Sequence, residues 1–378
     1  ENAFIVFDIS GREDAGNGVQ GYTLSFVSQE LIKDQRTKIK QSLTDSWSKI
    51  VERILVNKLE TKKKIVIEPT TGVKKFISPN LRPFELIRLA TRQAISRDEG
   101  KSMFVFYESL KGFNFRSLSS LYSVGSKFSY DDHDPSTNLL EHGRIDLESE
   151  MKNMIEFQIV TANNSLMNYR SGMFASTLIT HDIISKSYST RIYNYLDEFG
   201  RETHIESGGH PIVNDLPVNK LGKRVSDFPA RTFVLPTALT GSNDSQHDTL
   251  TGNQPYAAYD PQKWLQRRNS QLIQMENGLN VIILVHGNTD ITVGDVVDLN
   301  VPFTASAKSE ENDSTDKLYR KSFLIKTIRH EFNLTSAPFK HQMRINLVRD
   351  SLDKKLESPD DNFEPESLKS AGVEEYEY

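Results

Sequence analysis

The feature that most constrains this chain is period-two hydrophobicity in its last third. In Lys340–Arg349, His341, Met343, Ile345 and Leu347 alternate with Gln342, Arg344, Asn346 and Val348, so one face is largely apolar and the other largely polar. Successive side chains of a strand point to opposite faces, and this pattern predicts antiparallel sheet with one face buried. Leu279–His286, Asp290–Val301 and Leu318–Phe332 read as its companions. Upstream, Met173–Ser185 and Tyr188–Leu196 are long and rich in β-branched and aromatic residues, and a large sheet is expected to begin there. Leu147–Val160 is ambiguous: Met151, Met154 and Ile155 suit a helix, while 155–159 alternate like a strand. Thr304–Asp316 is polar and predicts a protruding loop.

At 378 residues the chain has room for two or three folded units. It contains no Cys, which excludes a disulfide scaffold, a thiol nucleophile and thiolate-ligated metal. Its apolar runs, such as 281–285, fall far short of the ~18 residues of a membrane span, so a soluble chain is expected. The sequence starts with Glu, and Ala3–Ser10 already reads as a strand; no signal peptide is expected, and an earlier segment is expected to be missing. Residues 1–125 carry 20 Lys and Arg against 14 Asp and Glu, and the remainder 26 against 37. Neither balance is that of a strongly basic nucleic-acid binder; complementary head-to-tail surfaces fit as well.

Ala3–Ser10 and Gly21–Ser28 predict a hairpin with a long tip over 11–18. Leu43, Trp47, Ile50, Val51, Ile54 and Leu55 draw one helical face. Lys64–Glu68 and Val73–Ile77, parted by Pro69-Thr70-Thr71-Gly72, predict a second hairpin. Pro83 suits the first turn of a helix running to Ile95, and Met103–Tyr107 with Phe113–Phe115 read as strands around Gly112, completing an α+β unit from Leu43 to Val124. Asp131–Gly143 reads as a loop and residues 200–260 as an irregular insertion broken by Pro217, Pro229 and Pro236. Asp260-Pro261 opens a helix that Asn277-Gly278 closes. Leu356–Tyr378 holds eight carboxylates and one Lys, a composition that favours disorder in isolation.

Candidate chemistry is sparse. Residues 16–21 match the dinucleotide fingerprint letter for letter, but a strand follows where a helix must, so the hairpin reading stands. Asp131-Asp132-His133-Asp134 with His142 could ligate a cation, yet the spacing fits a solvated turn better. His204 and His210 flank Gly208-Gly209 as in a flexible loop, and His286 reads as a hydrogen-bonded residue at a strand end. Glu148 and Glu150 have no assignable glycosidase geometry, and neither a Gly-x-Ser-x-Gly elbow nor a phosphate loop occurs. Lys33, Arg36, Lys38 and Lys40, and Lys62–Lys64, could follow a phosphate backbone, but their alternation with polar residues favours an exposed strand face or a subunit contact.

The order of elements carries a resemblance: the helix 45–56, a strand pair, a second helix led by Leu81-Arg82-Pro83-Phe84-Glu85, then Phe104-Val105-Phe106-Tyr107-Glu108 and Gly112-Phe113-Asn114. Late in the chain come Gly294-Asp295-Val296-Val297-Asp298-Leu299 and Lys326-Thr327-Ile328-Arg329-His330-Glu331-Phe332. Together these resemble the central baseplate hub subunit of contractile, T-even-like phage tails, and more distantly the hub half of type VI secretion spikes. The resemblance implies a mainly β member of the α+β class with two tail-tube-like antiparallel β-barrel domains. On it, 1–42 is the remainder of the first barrel, 43–125 a small α+β domain, 126–200 with 277–351 the second barrel, 201–276 an inserted peripheral domain and 352–378 an acidic tail. The first barrel is too short to close, so the natural protein is expected to begin before Glu1 or another chain to complete it.

The resemblance further implies a homotrimeric ring joining the central spike to the tail tube and nucleating tube assembly. Its partners would be the spike, tube initiator and tube proteins, baseplate wedge components and, by extension, the tape measure protein. DNA would pass through the lumen without specific binding, which the acidic balance of 126–378 suits. The location implied is the virion tail baseplate, assembled in the bacterial host cytoplasm. The family is structural and brings no catalytic, cofactor-binding or metal-binding residue. In the acidic tail, Phe363 and the tyrosines would lie on a neighbour. A phage-associated carbohydrate-binding or carbohydrate-degrading protein is the alternative from another class, since β-rich folds with long loops serve it equally.

Overall fold

A computed structural model of the chain describes residues 4–14, 16, 18–132, 139–140, 144–145, 147–161, 163–182, 186–210, 222–237, 261–301, 320–335 and 339–353. Strands β1 (Phe4–Asp14) and β2 (Gln20–Ser28) form a two-stranded antiparallel sheet. The expected tip is shorter than the sequence implied, because pairing continues to Asp14 opposite Gln20 across two bulges, and Gly16 and Gly18 turn the chain at positive φ. Helix α1 (Gln29–Arg36) follows, so Lys33 and Arg36 lie on a helix, not on the strand face expected. Its inward carboxylates explain the difference. Glu30 accepts from the Thr61 hydroxyl at 2.7 Å and from Lys63 Nζ at 2.7 Å, and Asp34 accepts the Phe84 amide at 2.7 Å. Burial raises the pKa of Asp34 despite that amide, whereas at Glu30 Lys63 and Thr61 outweigh burial and lower it.

The α+β unit comprises β3 (Ser42–Asp45), α2 (Trp47–Arg53) continued by a π-helical turn over Ile54–Lys58, β4 (Ile65–Ile67), β5 (Lys74–Ile77), α3 (Pro83–Gln93), β6 (Phe104–Ser109), β7 (Gly112–Ser117) and α4 (Leu118–Tyr122). The predicted face from Leu43 to Leu55 is buried in one core with Leu86, Ile87, Ala90, Phe104, Phe113 and Phe115, although Leu43 itself lies on β3. Each such side chain contributes about 1.5–3 kcal/mol when fully buried. The second hairpin does not form: β4 pairs parallel with β7, and β5 pairs antiparallel with β3. Thr70 diverts the chain. It is buried, its hydroxyl accepts the Ser48 amide at 2.9 Å beside the start of α2, and it forms an isolated bridge with Ser96. Pro83 occupies the first position of α3, and Glu85 accepts the Arg82 amide at 2.8 Å.

The remaining elements are β8 (Phe128–Asp132), the short pair β9 (Leu139–Leu140) and β10 (Arg144–Ile145), α5 (Leu147–Lys152), β11 (Asn153–Thr161), α6 (Ser165–Arg170), β12 (Ala175–Asp182), β13 (Ser187–Asn194), α7 (Tyr195–Phe199), β14 (Arg231–Thr237), α8 (Arg267–Asn277) after a π-helical stretch over Gln262–Gln266, β15 (Leu279–His286), β16 (Val296–Asn300), β17 (Lys321–Asn333) and β18 (Lys340–Arg349). The ambiguous 147–160 is both things in turn, helix then strand. The expected cap Asp260, the loop Thr304–Asp316 and the tail Leu356–Tyr378 lie outside the described residues, as do Pro217 and residues 238–259 of the stretch expected to be irregular.

The fold is mainly β, with one closed barrel in the order β11-β15-β18-β17-β16-β8. Two expectations are corrected. The barrel is mixed, not antiparallel, because β8 runs parallel to both of its neighbours, β11 and β16. Of the strands expected in it from 126–200, only β8 and β11 enter, while β12 and β13 form a separate sheet with β14 in the order β13-β12-β14. Of the two barrel domains expected, the described residues close one; β1 and β2, expected as a remainder too short to close, pair only with each other. β14 went unseen because Pro236 reads as a breaker, yet this strand is at an edge, where a missing amide donor costs least.

The alternation of β15 and β18 places Val281, Ile283, Val285, Met343, Ile345 and Leu347 in the barrel interior with Tyr130, Met154, Leu299 and Phe323. Burial raises the pKa of the Tyr130 phenol. A second seam joins the barrel exterior to the α+β unit: Val296, Leu324 and Val348 meet Met103, Leu118, Leu121 and Tyr122, with Leu272 and Met275 of α8. Gly294 sits in this seam at φ 87°, where a Cβ would approach the Tyr107 hydroxyl to 2.0 Å.

Candidate assembly surfaces

The structure disperses the sequence candidates for chemistry. Residues 16–21 span the tip of the β1–β2 hairpin and the start of β2, with no helix following the glycines. Asp131 and Asp132 end β8, while His133, Asp134 and His142 lie outside the described residues. Glu148 is exposed and bonded to Lys152 at 2.9 Å; Glu150 lies 3.6 Å from His286, the last residue of β15, a strand end as the sequence implied. Lys63 bridges Glu30 at 2.7 Å and Glu108 at 2.5 Å, and Lys33 pairs with Glu60 at 2.9 Å, so these two cations already have carboxylate partners. Among the described residues, no group of three or more His, Asp or Glu is placed to hold a metal ion.

The expected flexible loop around His204 and His210 is instead a strap stitched to the residues after β18. The Gly208 amide donates to the Leu352 carbonyl at 2.7 Å and the Leu352 amide to the Gly209 carbonyl at 2.9 Å. The Glu206 amide donates to Ser351 Oγ at 2.8 Å, and Ile205 to Asp350 Oδ1 at 3.2 Å. His204 Nδ1 lies 2.7 Å from Asp350 Oδ2 and Nε2 2.7 Å from the Phe199 carbonyl, with the ring stacked on Phe199. Both partners are acceptors, so both ring nitrogens are best served carrying protons. Burial opposes that charge, but Asp350 and the Phe199 carbonyl outweigh it, and the pKa of His204 is raised. His210 Nε2 is 2.9 Å from Gln274 Oε1 of α8. Beneath the strap, buried Arg349 donates to the Arg320 carbonyl at 2.6 Å and to the Ser351 carbonyl, over the Phe323 ring.

What remains exposed is apolar sheet. The register of β1 and β2 puts Phe4, Val6, Ile9, Tyr22, Leu24 and Phe26 on one face, opposite a mixed face bearing Asp8, Ser10, Thr23 and Ser25 with Ile5 and Val27 at its end. All six apolar residues are exposed, Ile9 to 68% and Tyr22 to 61%. Neither outer edge of this hairpin has a ladder partner among the described residues. The barrel has similar open borders. β16 pairs with β17 only from Lys321 to Leu324, so the stretch Lys326–Asn333 has β18 on one side and no strand on the other among the described residues. Phe332, Leu334 and Phe339 are exposed around the β17–β18 tip. Between hairpin and barrel lies a cleft of about 290 Å³ lined by Phe4, Leu110, Ile291, Val293, Ile328 and His330, with Glu108 at its rim already bonded to Lys63. Burial, and then the neighbouring His341, lower the pKa of His330.

Two-stranded sheets are marginal alone, and an apolar face of this kind marks a surface meant to be covered. Sequence reasoning found the hairpin but missed its one-sidedness; the alternation of Tyr22, Leu24 and Phe26 was the available signal. No protein-family model matches the chain. Comparison with curated proteins gives a relative 24% identical over 266 residues, which are 68% of this chain and 56% of that protein, so the chain spans little more than half of the relative's length. The chain is thus distantly similar to the probable baseplate hub protein gp334 of Vibrio phage KVP40.

Proposed function

We propose that the chain is a structural subunit of a phage tail baseplate hub, and that it works by completing sheets between copies and not by chemistry. The observation that carries this reading is the β1–β2 hairpin, whose six-residue apolar face and open edges call for strands from a neighbour. The open border of β17 offers a second place for pairing. Three copies would close a ring that seats the spike and starts the tube, placed in the virion tail, with wedge components meeting its outer loops. The relative's name and the similarity along 68% of the chain support the setting. DNA would traverse the ring without specific contacts.

The test is size-exclusion chromatography with light scattering on the chain and on Tyr22→Asp/Phe26→Asp. The parent is expected as a trimer and the variant as a monomer with unchanged circular dichroism. A monomeric parent at high protein concentration, or a variant that still forms trimers, would refute the proposal. Incubation with peptidoglycan is expected to release no sugar; release would favour a carbohydrate-degrading protein instead.

A further inference from the structure

Arg267 and Arg268 are neighbours in sequence with opposite electrostatic surroundings. Arg267 reaches the buried Glu202 and lies 4.0 Å from Glu198. Arg268 has no carboxylate partner among the described residues: it is partly buried, and its Nε is sealed from solvent without a hydrogen-bond acceptor. The charges it faces are Arg88 and Arg92, one turn apart on α3, which packs against the π-helical stretch leading into α8. Burial and those two cations push its guanidinium pKa down. Glu85, the carboxylate one turn before Arg88, is already engaged by Arg82. None of these three arginines has a carboxylate partner among the described residues, and guanidinium groups bind carboxylates in paired hydrogen bonds.

The sequence supplies such an anion after the last described residue. Residues 357–366 hold five carboxylates (Glu357, Asp360, Asp361, Glu364 and Glu366) and no Lys or Arg. The path to them starts beside α8, because Gln274 Nε2 donates to the Asp350 carbonyl at 3.2 Å. Arg268 is six residues before Gln274, about 9 Å along the helix axis. From Asp353, seven further residues reach Asp360, a span of up to roughly 25 Å when extended.

We propose that Arg88, Arg92 and Arg268 form a docking site for the acidic segment 357–366 of the same chain, which lies across α3 and α8 and ties the C-terminal segment to the α+β unit. This holds whether or not the chain forms a ring. Because the sequence has no Cys, a single nitroxide at Ser367→Cys reports on the segment in the full chain. In about 0.1 M salt the label is expected to show an immobilised component, lost in about 1 M salt, where the screening length falls to about 3 Å. The component should also be lost in Arg88→Gln/Arg92→Gln/Arg268→Gln. A second variant, Asp360→Asn/Asp361→Asn/Glu364→Gln/Glu366→Gln, changes only the acidic segment and should give the same loss. A freely tumbling label in low salt, or an immobile one unaffected by either variant, overturns the proposal. Immobilisation that vanishes on dilution would assign the segment to a second copy and equally overturn it.

Discussion

The β1–β2 hairpin and the closed barrel are written in the same alphabet and meet opposite fates. In β18 the alternate residues Met343, Ile345 and Leu347 are buried, whereas in β2 Tyr22, Leu24 and Phe26 are exposed. The difference is not hydrophobicity but the availability of strands. β18 is flanked along its length by β15 and β17, and among the described residues β2 has β1 alone. Period-two alternation therefore states that a face will be covered without stating by what. Where the described strands of the chain supply the cover the pattern reports stability, and where they do not, it leaves the face open to a contact of the kind proposed above.

Substitutions can break or sharpen that contrast. The largest loss is expected for Phe323→Ala in the barrel interior, about 3–5 kcal/mol by denaturant unfolding, as for large cavities generally. A loss below 1 kcal/mol would mean the barrel is not the stabilising core. Gly294→Ala should cost about 1–3 kcal/mol, since its Cβ meets the Tyr107 hydroxyl at a backbone angle that side chains rarely adopt. Combining it with Tyr107→Phe removes the clashing oxygen and should recover part of the loss; no recovery would show that the backbone, not the contact, is decisive.

His204→Gln should cost about 1 kcal/mol at acid pH and less at alkaline pH. Its folded-state pKa is raised, so the protonated ring's contribution is fully present below the unfolded value of about 6.5 and fades as pH rises through the folded value. A pH-independent difference in thermal midpoint would remove Asp350 from the account. The smallest effect belongs to the hairpin: Phe26→Ser should change the stability of the isolated chain by no more than about 0.5 kcal/mol, because the side chain is exposed. A large loss there would erase the contrast between the two sheets.

Much of the fold was legible, and the misses share a cause. The helical face from Trp47 to Leu55, the Pro83 helix, the strands around Gly112 and the run from β15 to β18 all follow from local periodicity and capping chemistry. The errors arose where a distant partner decided. Pro69–Gly72 has the residues of a tight turn, but Ser48, twenty-two residues earlier, claims Thr70. The 204–210 segment has glycines of a flexible loop, but its amides are satisfied 145 residues away. The parallel placement of β8 has no signature in Phe128–Asp132. Of the candidate assembly surface, the strands of the hairpin were readable and its exposed face was not, since exposure is a property of the whole chain. That Arg268 faces Arg88 and Arg92 was likewise invisible, because it follows from α3 packing against the π-helical stretch that leads into α8.

The strap has a consequence for how such chains diverge. By pinning 204–209 to 350–353, it acts as an anchored gatepost at the close of β18, so changes of length farther along the chain, before α8, need not disturb the barrel. A lineage is then free to rebuild that stretch while the closed sheet behind the gatepost is inherited intact.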